Sequence, residues 1–465
     1  MKRINLLFIL LVFSTTGLWA RSEDSLRYGR FGKVFLYREK PQPSHVVLFV
    51  SGDGGWNLGV VDMARELASL DALVVGIDIT HYLKQLESST EKCSYPAADF
   101  EALSQYVQKQ LNYPSYVAPV LVGYSSGATL VYATLVQAPA TTFRGAISLG
   151  FCPDLPLTKP LCRGNGLEWK PEPNGKGYGF LPAANLEVPW IAFQGIVDQV
   201  CNADSTQAYV KQVKQGELVL LPKVGHGFSV QRNWMPQFKD AFARLAARKE
   251  NIQMARVEEL KDLPLVEVPA SGSATNLVAF HITGDGGWGV TDKGLSHSLA
   301  AQGIPVIGLN SLKYFWTKRT PEESAKDAER ILRYYLAAWK KEKLILIGYS
   351  FGADVLPFIV NRLANDFRAK IKLLVFLGPS ATAQFEFHLK SWLGGAAHQS
   401  RFPVQPEIEK LQGIKMLCFY GDEEEDSLCR KLDPSLAKIV ERKGGHRLGG
   451  NYAPVAEEIL RAVQQ

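Results

Sequence analysis

At 465 residues the chain is too long for one ordinary domain and suits two of roughly 200 residues each. Hydrophobic residues make up 46% and charged residues 21%, a balance that excludes a disordered or low-complexity protein. Lys and Arg number 52 against 46 Asp and Glu, and a net charge of +6 over this length excludes a nucleic-acid footprint, leaving only a weak attraction to anionic membrane surfaces.

In chain order, Lys2 and Arg3 precede an apolar run from Leu6 to Phe13, with a cleavage site after Ala20. Residues 1–20 therefore read as a secretory signal peptide, too short in its apolar core to span a bilayer. No cysteine follows that core, which argues against a lipid anchor, and the expected location is the periplasm. A first domain over residues 25–247, a charged, proline-bounded linker over 248–275 and a second domain over 276–465 follow.

Within the first domain, Val46 to Val50, Leu73 to Ile77, Val117 to Val122 and Ala146 to Leu149 are apolar, β-branched-rich runs that predict buried strands. Leu277 to Ile282, Pro305 to Leu309, Lys343 to Ile347 and Leu373 to Leu377 repeat that series in the second. Segments of helical period, such as Leu58 to Leu70 and Gly294 to Gln302, lie between them. Strands alternating with helices predict an α/β fold, a mostly parallel sheet flanked by helices, in each half.

One motif pair occurs twice. Ser51-Gly-Asp-Gly-Gly-Trp56 precedes Gly123-Tyr-Ser-Ser-Gly127, and Thr283-Gly-Asp-Gly-Gly-Trp288 precedes Gly348-Tyr-Ser-Phe-Gly352. A glycine loop after an early strand, then G-x-S-x-G between a strand and a helix, is the assembly order of an α/β-hydrolase. The expected fold is thus two tandem α/β-hydrolase-like domains.

A serine hydroxyl needs a base, and the base needs an orienting acid, in the chain order serine, acid, histidine. Ser350 and His446 belong to the triad expected to work, in the second half, while Ser125, Asp198 and His226 form a complete candidate set in the first, suited to a second active site or to a degenerate domain that binds lipid or docks a partner. Asp426 is the expected second acid, because it stands before Cys429 as Asp198 stands before Cys201; Glu424 and Asp422 are the alternatives. The backbone N–H of Ser126 or Phe351, with the loops at Asp53-Gly54 and Asp285-Gly286, is expected to bind the oxyanion. His45, His81, His281, His297, His388 and His398 read as surface or structural, and no spacing suggests a metal site or cofactor. Six cysteines in an exported chain suggest disulfides: local Cys152–Cys162 and Cys418–Cys429 bridges, with Cys93 and Cys201 left to pair.

The second half resembles the AcvB/VirJ family through Thr283-Gly-Asp-Gly-Gly-Trp288, Ser311-Leu-Lys-Tyr-Phe-Trp316, Arg319-Thr-Pro-Glu322, Gly348-Tyr-Ser-Phe-Gly-Ala-Asp354, Phe385-Glu386, Trp392-Leu-Gly394, Cys418-Phe-Tyr-Gly421 and Gly444-Gly-His446. Gly123-Tyr-Ser-Ser-Gly-Ala128, Leu149-Gly-Phe-Cys-Pro-Asp154 and Asp198-Gln-Val-Cys201 extend the likeness to the first half. The resemblance implies a periplasmic serine hydrolase that cleaves aminoacyl-phosphatidylglycerol, notably the lysyl form, at the membrane surface. It also implies an association with virulence, and secretion-system components as possible partners. The family's Gly-Gly-His-His-Phe-Asp-Gly-Asp-Tyr is here Gly444-Gly-His-Arg-Leu-Gly-Gly-Asn-Tyr452, so the second histidine and both acids are missing. Rival readings are a carboxylesterase acting on other esters and a non-catalytic periplasmic adaptor of a secretion system. Tyr314, Phe315 and Trp316 form an aromatic cluster suited either to a membrane-facing lip or to a core.

Overall fold

The computed structural model describes residues 24–173, 175–248, 257–273, 275–387 and 402–464. The expected signal peptide over residues 1–20, the Trp392 block, His388 and His398 lie outside the described residues.

The first domain is built on β1 (Asp24–Tyr28), β2 (Gly32–Tyr37), β3 (His45–Val50), β4 (Ala72–Ile77), β5 (Val120–Tyr124), β6 (Gly145–Leu149), β7 (Trp190–Gly195) and β8 (Gly216–Leu221). Their order across the sheet is β1-β2-β4-β3-β5-β6-β7-β8, antiparallel at the β1 and β2 edge and parallel from β4 onward. Helices cover both faces, so the central strands are apolar on both sides: every residue of β4, β6 and β7 is buried.

The second domain repeats this with β9 (Leu265–Val268), β10 (Leu277–Ile282), β11 (Val306–Leu309), β12 (Lys343–Tyr349), β13 (Ile371–Leu377), β14 (Met416–Gly421) and β15 (Lys438–Arg442). Here the order is β9-β11-β10-β12-β13-β14-β15, with β9 antiparallel to β11. Strand β9 falls inside the expected linker, so the second domain begins earlier than residue 276. Leu265, Val266 and Val268 are buried and Glu267 is less so, a short apolar run that packs as the edge of the sheet.

Three disulfides join Cys93–Cys162, Cys152–Cys201 and Cys418–Cys429. The expected Cys418–Cys429 bridge is present, whereas Cys152–Cys162 and Cys93–Cys201 are not: these four cysteines pair across the fold, not within one loop. Bridges spanning 69 and 49 residues each remove roughly 4 kcal/mol of denatured-chain entropy in the loop-closure model. Three bonds and no free cysteine among the described residues mark a protein of an oxidising, extracytoplasmic compartment. No described helix is long and apolar enough to cross a membrane.

The domains meet on Trp316. Its indole N–H donates to the Tyr113 carbonyl at 2.7 Å, and its ring packs against Tyr116 and Phe387. The Lys109 ammonium sits 4.6 Å above the ring and donates to the Trp316 carbonyl. Tyr314, Phe315 and Trp316 are all buried, so this cluster is core and domain boundary, not a membrane-facing lip. Truncating a buried Trp costs about 3–5 kcal/mol. Trp316→Ala is therefore expected to split thermal unfolding into two calorimetric transitions, and one unshifted transition would contradict this account of the boundary.

Candidate active site

Each elbow serine sits between a strand and a helix with positive φ, 56° at Ser125 and 51° at Ser350. That conformation is costly for a residue with a side chain and points the hydroxyl out of the turn. The turn has no room for larger neighbours. A Cβ on Gly123 would lie 2.1 Å from the Gly127 carbonyl oxygen, and one on Gly348 would lie 2.4 Å from that of Gly352. The serine N–H groups donate to the ends of the next strand, at Leu149 and Leu377.

In the first domain the structure brings three side chains into one chain of hydrogen bonds. Ser125 Oγ and His226 Nε2 are 2.9 Å apart, and His226 Nδ1 and Asp198 Oδ2 are also 2.9 Å apart. Asp198 extends from the end of β7, and the His226 loop is braced by the Tyr124 hydroxyl, which donates to the His226 carbonyl at 3.0 Å. Burial pushes the Asp198 carboxyl up, but the Cys201 and Val200 N–H groups and the His226 ring outweigh it and hold the acid below its usual range. The carboxylate thus stays charged beside the imidazole, ready to stabilise an imidazolium. Asp198, His226 and Cys201 are close enough to suggest a metal cluster, but the Cys201 sulfur is spent in a disulfide.

The second domain is assembled differently. His446 Nδ1 is bonded to Glu424, not to the expected Asp426, which is exposed. The strand ends explain this. A Cβ on Gly195 or Gly421 would meet the carbonyl of Val224 or Gly444, each two residues before its histidine. Counting from these glycines, Asp198 and Glu424 occupy the same position. The cysteine anchor misleads because Cys201 bonds across to Cys152, while Cys429 bonds back to Cys418 on the preceding strand β14. Asp422, the other alternative, accepts the Gly444 N–H at 2.8 Å and shapes the histidine loop. Burial raises Glu424, yet its bonds to His446 and the Gly421 N–H hold it below its usual range. Among the described residues no hydrogen bond joins Ser350 to His446. The His446 side chain is 45% exposed against 18% for His226, and Glu424 is 15% exposed against 0% for Asp198.

The glycine loops lie over the elbow serines, with Gly52 and Gly284 nearest to them. A Cβ on Gly52 would be 3.0 Å from Ser125 Cβ, and one on Gly284 would be 3.5 Å from Ser350 Cβ. Asp53 and Gly54 are exposed, and Ser126 Oγ donates to Asp53 Oδ2 at 2.8 Å. Phe351 replaces Ser126 in the second domain, and its ring packs on Phe315. Behind the second loop, buried His281 and Asp292 approach to 3.3 Å while Asp292 caps the Gly289 N–H, a brace that the sequence pattern did not reveal.

Asp285 and Gly286 line a cavity of about 630 Å³ between the domains, shared with Glu91, Asp99 and Glu101 of the first. Water reaches Glu101 and Asp285, but surrounding protein pushes both carboxyls up. Glu101 rises to about 7, through burial first and then the Asp285 charge, against the opposing pull of Arg447.

Elbows, glycine loops, acid–histidine pairs and strand order define each half as an α/β-hydrolase domain. The chain matches the bacterial virulence protein (VirJ) family over residues 44–148 and 276–465, more than half its length, and belongs to that family. No curated protein is detectably similar to it. Among solved structures it is similar to the esterase domain of a Rhodothermus marinus protein, at 16% identity and TM-score 0.33, covering 48% of this chain and 97% of that one. XC6422 from Xanthomonas campestris, an α/β serine hydrolase without a lid, is 20% identical with TM-score 0.33, covering 49% and 96%. The Thermogutta terrifontis esterase Est2 is 16% identical with TM-score 0.33, covering 48% and 91%.

Two expectations follow. Glu424→Gln should suppress any reactivity of Ser350 while Asp426→Asn leaves it unchanged, read by active-site labelling in a Ser125→Ala background; the reverse pattern would restore Asp426 as the acid. Because its pKa is raised, Glu101 favours the folded state below its ordinary value near 4.5 and loses that contribution as pH rises through about 7. Glu101→Gln should therefore melt higher than wild type at pH 8, by about 1 kcal/mol after allowance for water access, and show no such gain at pH 5.

Proposed function

We propose that the protein is a periplasmic serine hydrolase that cleaves the aminoacyl ester of aminoacyl-phosphatidylglycerol, notably the lysyl form, and so adjusts membrane lipid charge. The observation that carries the reaction class is the unbroken chain Ser125–His226–Asp198. His226 Nε2 takes the Ser125 proton as Oγ attacks the ester carbonyl, and Asp198 stabilises the imidazolium. The Ser126 N–H, at the start of the helix Ser126–Gln137, and the glycine loop at Gly52 to Gly54 receive the oxyanion. The C–O bond then breaks, His226 returns the proton to the departing glycerol oxygen, and phosphatidylglycerol leaves. Water, deprotonated by His226, attacks the aminoacyl-Ser125 ester and frees the amino acid. An aminoacyl ester is an activated acyl donor, so the triad needs no further group.

Ser350 is the nucleophile of a second site with the same elbow and its own acid–histidine pair, lacking only the serine–histidine bond. Its acid loop, Asp422-Glu-Glu-Glu-Asp426, offers spare carboxylates to the ammonium groups of a lysyl ester. Family membership supports an envelope protein linked to virulence, and the three disulfides support an extracytoplasmic one.

Labelling the mature chain with a fluorophosphonate, followed by peptide mapping, is expected to mark Ser125. Ser125→Ala should lower lysine release from lysyl-phosphatidylglycerol vesicles by about 10³-fold or more if Ser350 contributes little. A folded protein that takes no label on either serine would overturn the reading in favour of a non-catalytic role. For the second site, in a Ser125→Ala background, replacing Glu423 and Glu425 with Gln should raise KM for the lysyl lipid more than for the alanyl lipid. Equal effects would remove the loop from substrate recognition.

A further inference from the structure

The two domains share a loop framework but line it with opposite chemistry. From the matched strand-end glycines, Ile196, Val197, Gln199 and Val200 of the first acid loop stand where Asp422, Glu423, Glu425 and Asp426 stand in the second. The fold therefore tolerates charge at these positions, and their apolar character in the first domain is not needed to build the loop. These side chains are also not hidden: Ile196 is 52% exposed, Val197 57% and Val200 67%.

The other two loops at the same site repeat the pattern. Leu58, at the end of the loop that packs over Ser125, is 84% exposed and held outward with φ 40°. Val230, in the His226 loop, is 47% exposed. Among the described residues, the remaining exposed large apolar side chains are less so: Leu220, on β8, and Val290, at the domain boundary. The loops converge at the C-terminal edge of the sheet: the Val197 N–H donates to the Val224 carbonyl at 3.2 Å, and Asp198 and Ser125 both reach His226. Water-exposed apolar side chains gathered at one functional edge mark a contact surface. Lys223 and Arg232 flank the histidine loop, exposed and in no ion pair among the described residues, so the charge at this rim suits an anionic partner.

We propose that Leu58, Ile196, Val197, Val200 and Val230 form a docking rim that seats the Ser125 site against an anionic phospholipid surface. The rim rests on the reading of Ser125 as the nucleophile of a lipid-ester hydrolase. Apolar side chains enter the headgroup boundary while Lys223 and Arg232 meet lipid phosphates, the combination that gives reversible interfacial binding.

The test is flotation of the full mature chain with vesicles of phosphatidylcholine and phosphatidylglycerol containing no aminoacyl lipid. Binding is read without turnover, so its failure leaves the hydrolase reading standing, and loss of labelling at Ser125 leaves the rim standing. Wild type should float, and Val197→Glu/Val200→Asp, which copies the second domain's residues, should lose binding at least about tenfold. Leu58→Ser, at a site too exposed to disturb the core, should weaken it in the same direction, while Val290→Ser, at the domain boundary, should not. Wild type that fails to float, or rim variants that float like wild type, would overturn the proposal. So would a rim-dependent dimer in light scattering without vesicle binding, which would make the rim a self-association surface.

Discussion

The structure depends on a turn with no spare volume. At each elbow, glycines two residues either side of a serine let backbone carbonyls pack where any Cβ would collide, and the serine is driven to positive φ. A strained residue of this kind costs of order 1–3 kcal/mol and persists only where its surroundings determine it fully. Those surroundings are the strand before it, the helix after it, and the next strand, whose end accepts the serine N–H. Once the turn is fixed, the glycine loop has one place to lie, and the acid and histidine loops approach from the strands beyond.

Much of this was legible because parallel strands buried on both faces leave uninterrupted apolar runs, and because an elbow demands glycines at fixed offsets. Both histidines were legible too, each in a glycine-rich loop after a strand. The second acid was not, since five consecutive carboxylates, Asp422 to Asp426, offer no local rule for choosing among them. The strand-end glycines, Gly195 and Gly421, carry the register that a cysteine count obscures. Strand β9 was hidden by its brevity between Pro264 and Pro269. Trp316 was ambiguous for a deeper reason: an aromatic side chain looks the same in sequence whether it covers its own domain or a neighbour. Disulfide partners drawn from distant loops share that limit.

Duplication of the scaffold has not duplicated the site. One half keeps its acid fully enclosed and its histidine mostly shielded, so charge developing on the imidazole is met in low dielectric, where a fixed carboxylate acts strongly. The other half leaves its histidine more open to water, bonded to an acid that stands in a run of exposed carboxylates. Loops at the strand ends can diverge this far because the sheet and helices, not the loops, hold the domain together. Two related surfaces on one chain can therefore answer to different physical environments.

The Cys152–Cys201 bond gives the first site a history as well as a geometry. Cys201 donates its N–H to Asp198 Oδ1, and its sulfur is tied to the segment that follows β6. Beside the backbone N–H groups of Val200 and Cys201, this tether is the one covalent hold on the turn that carries Asp198. The aim of the acid at His226 thus leans on a covalent link that belongs to an oxidising compartment, and the first site shares the chemistry of that compartment.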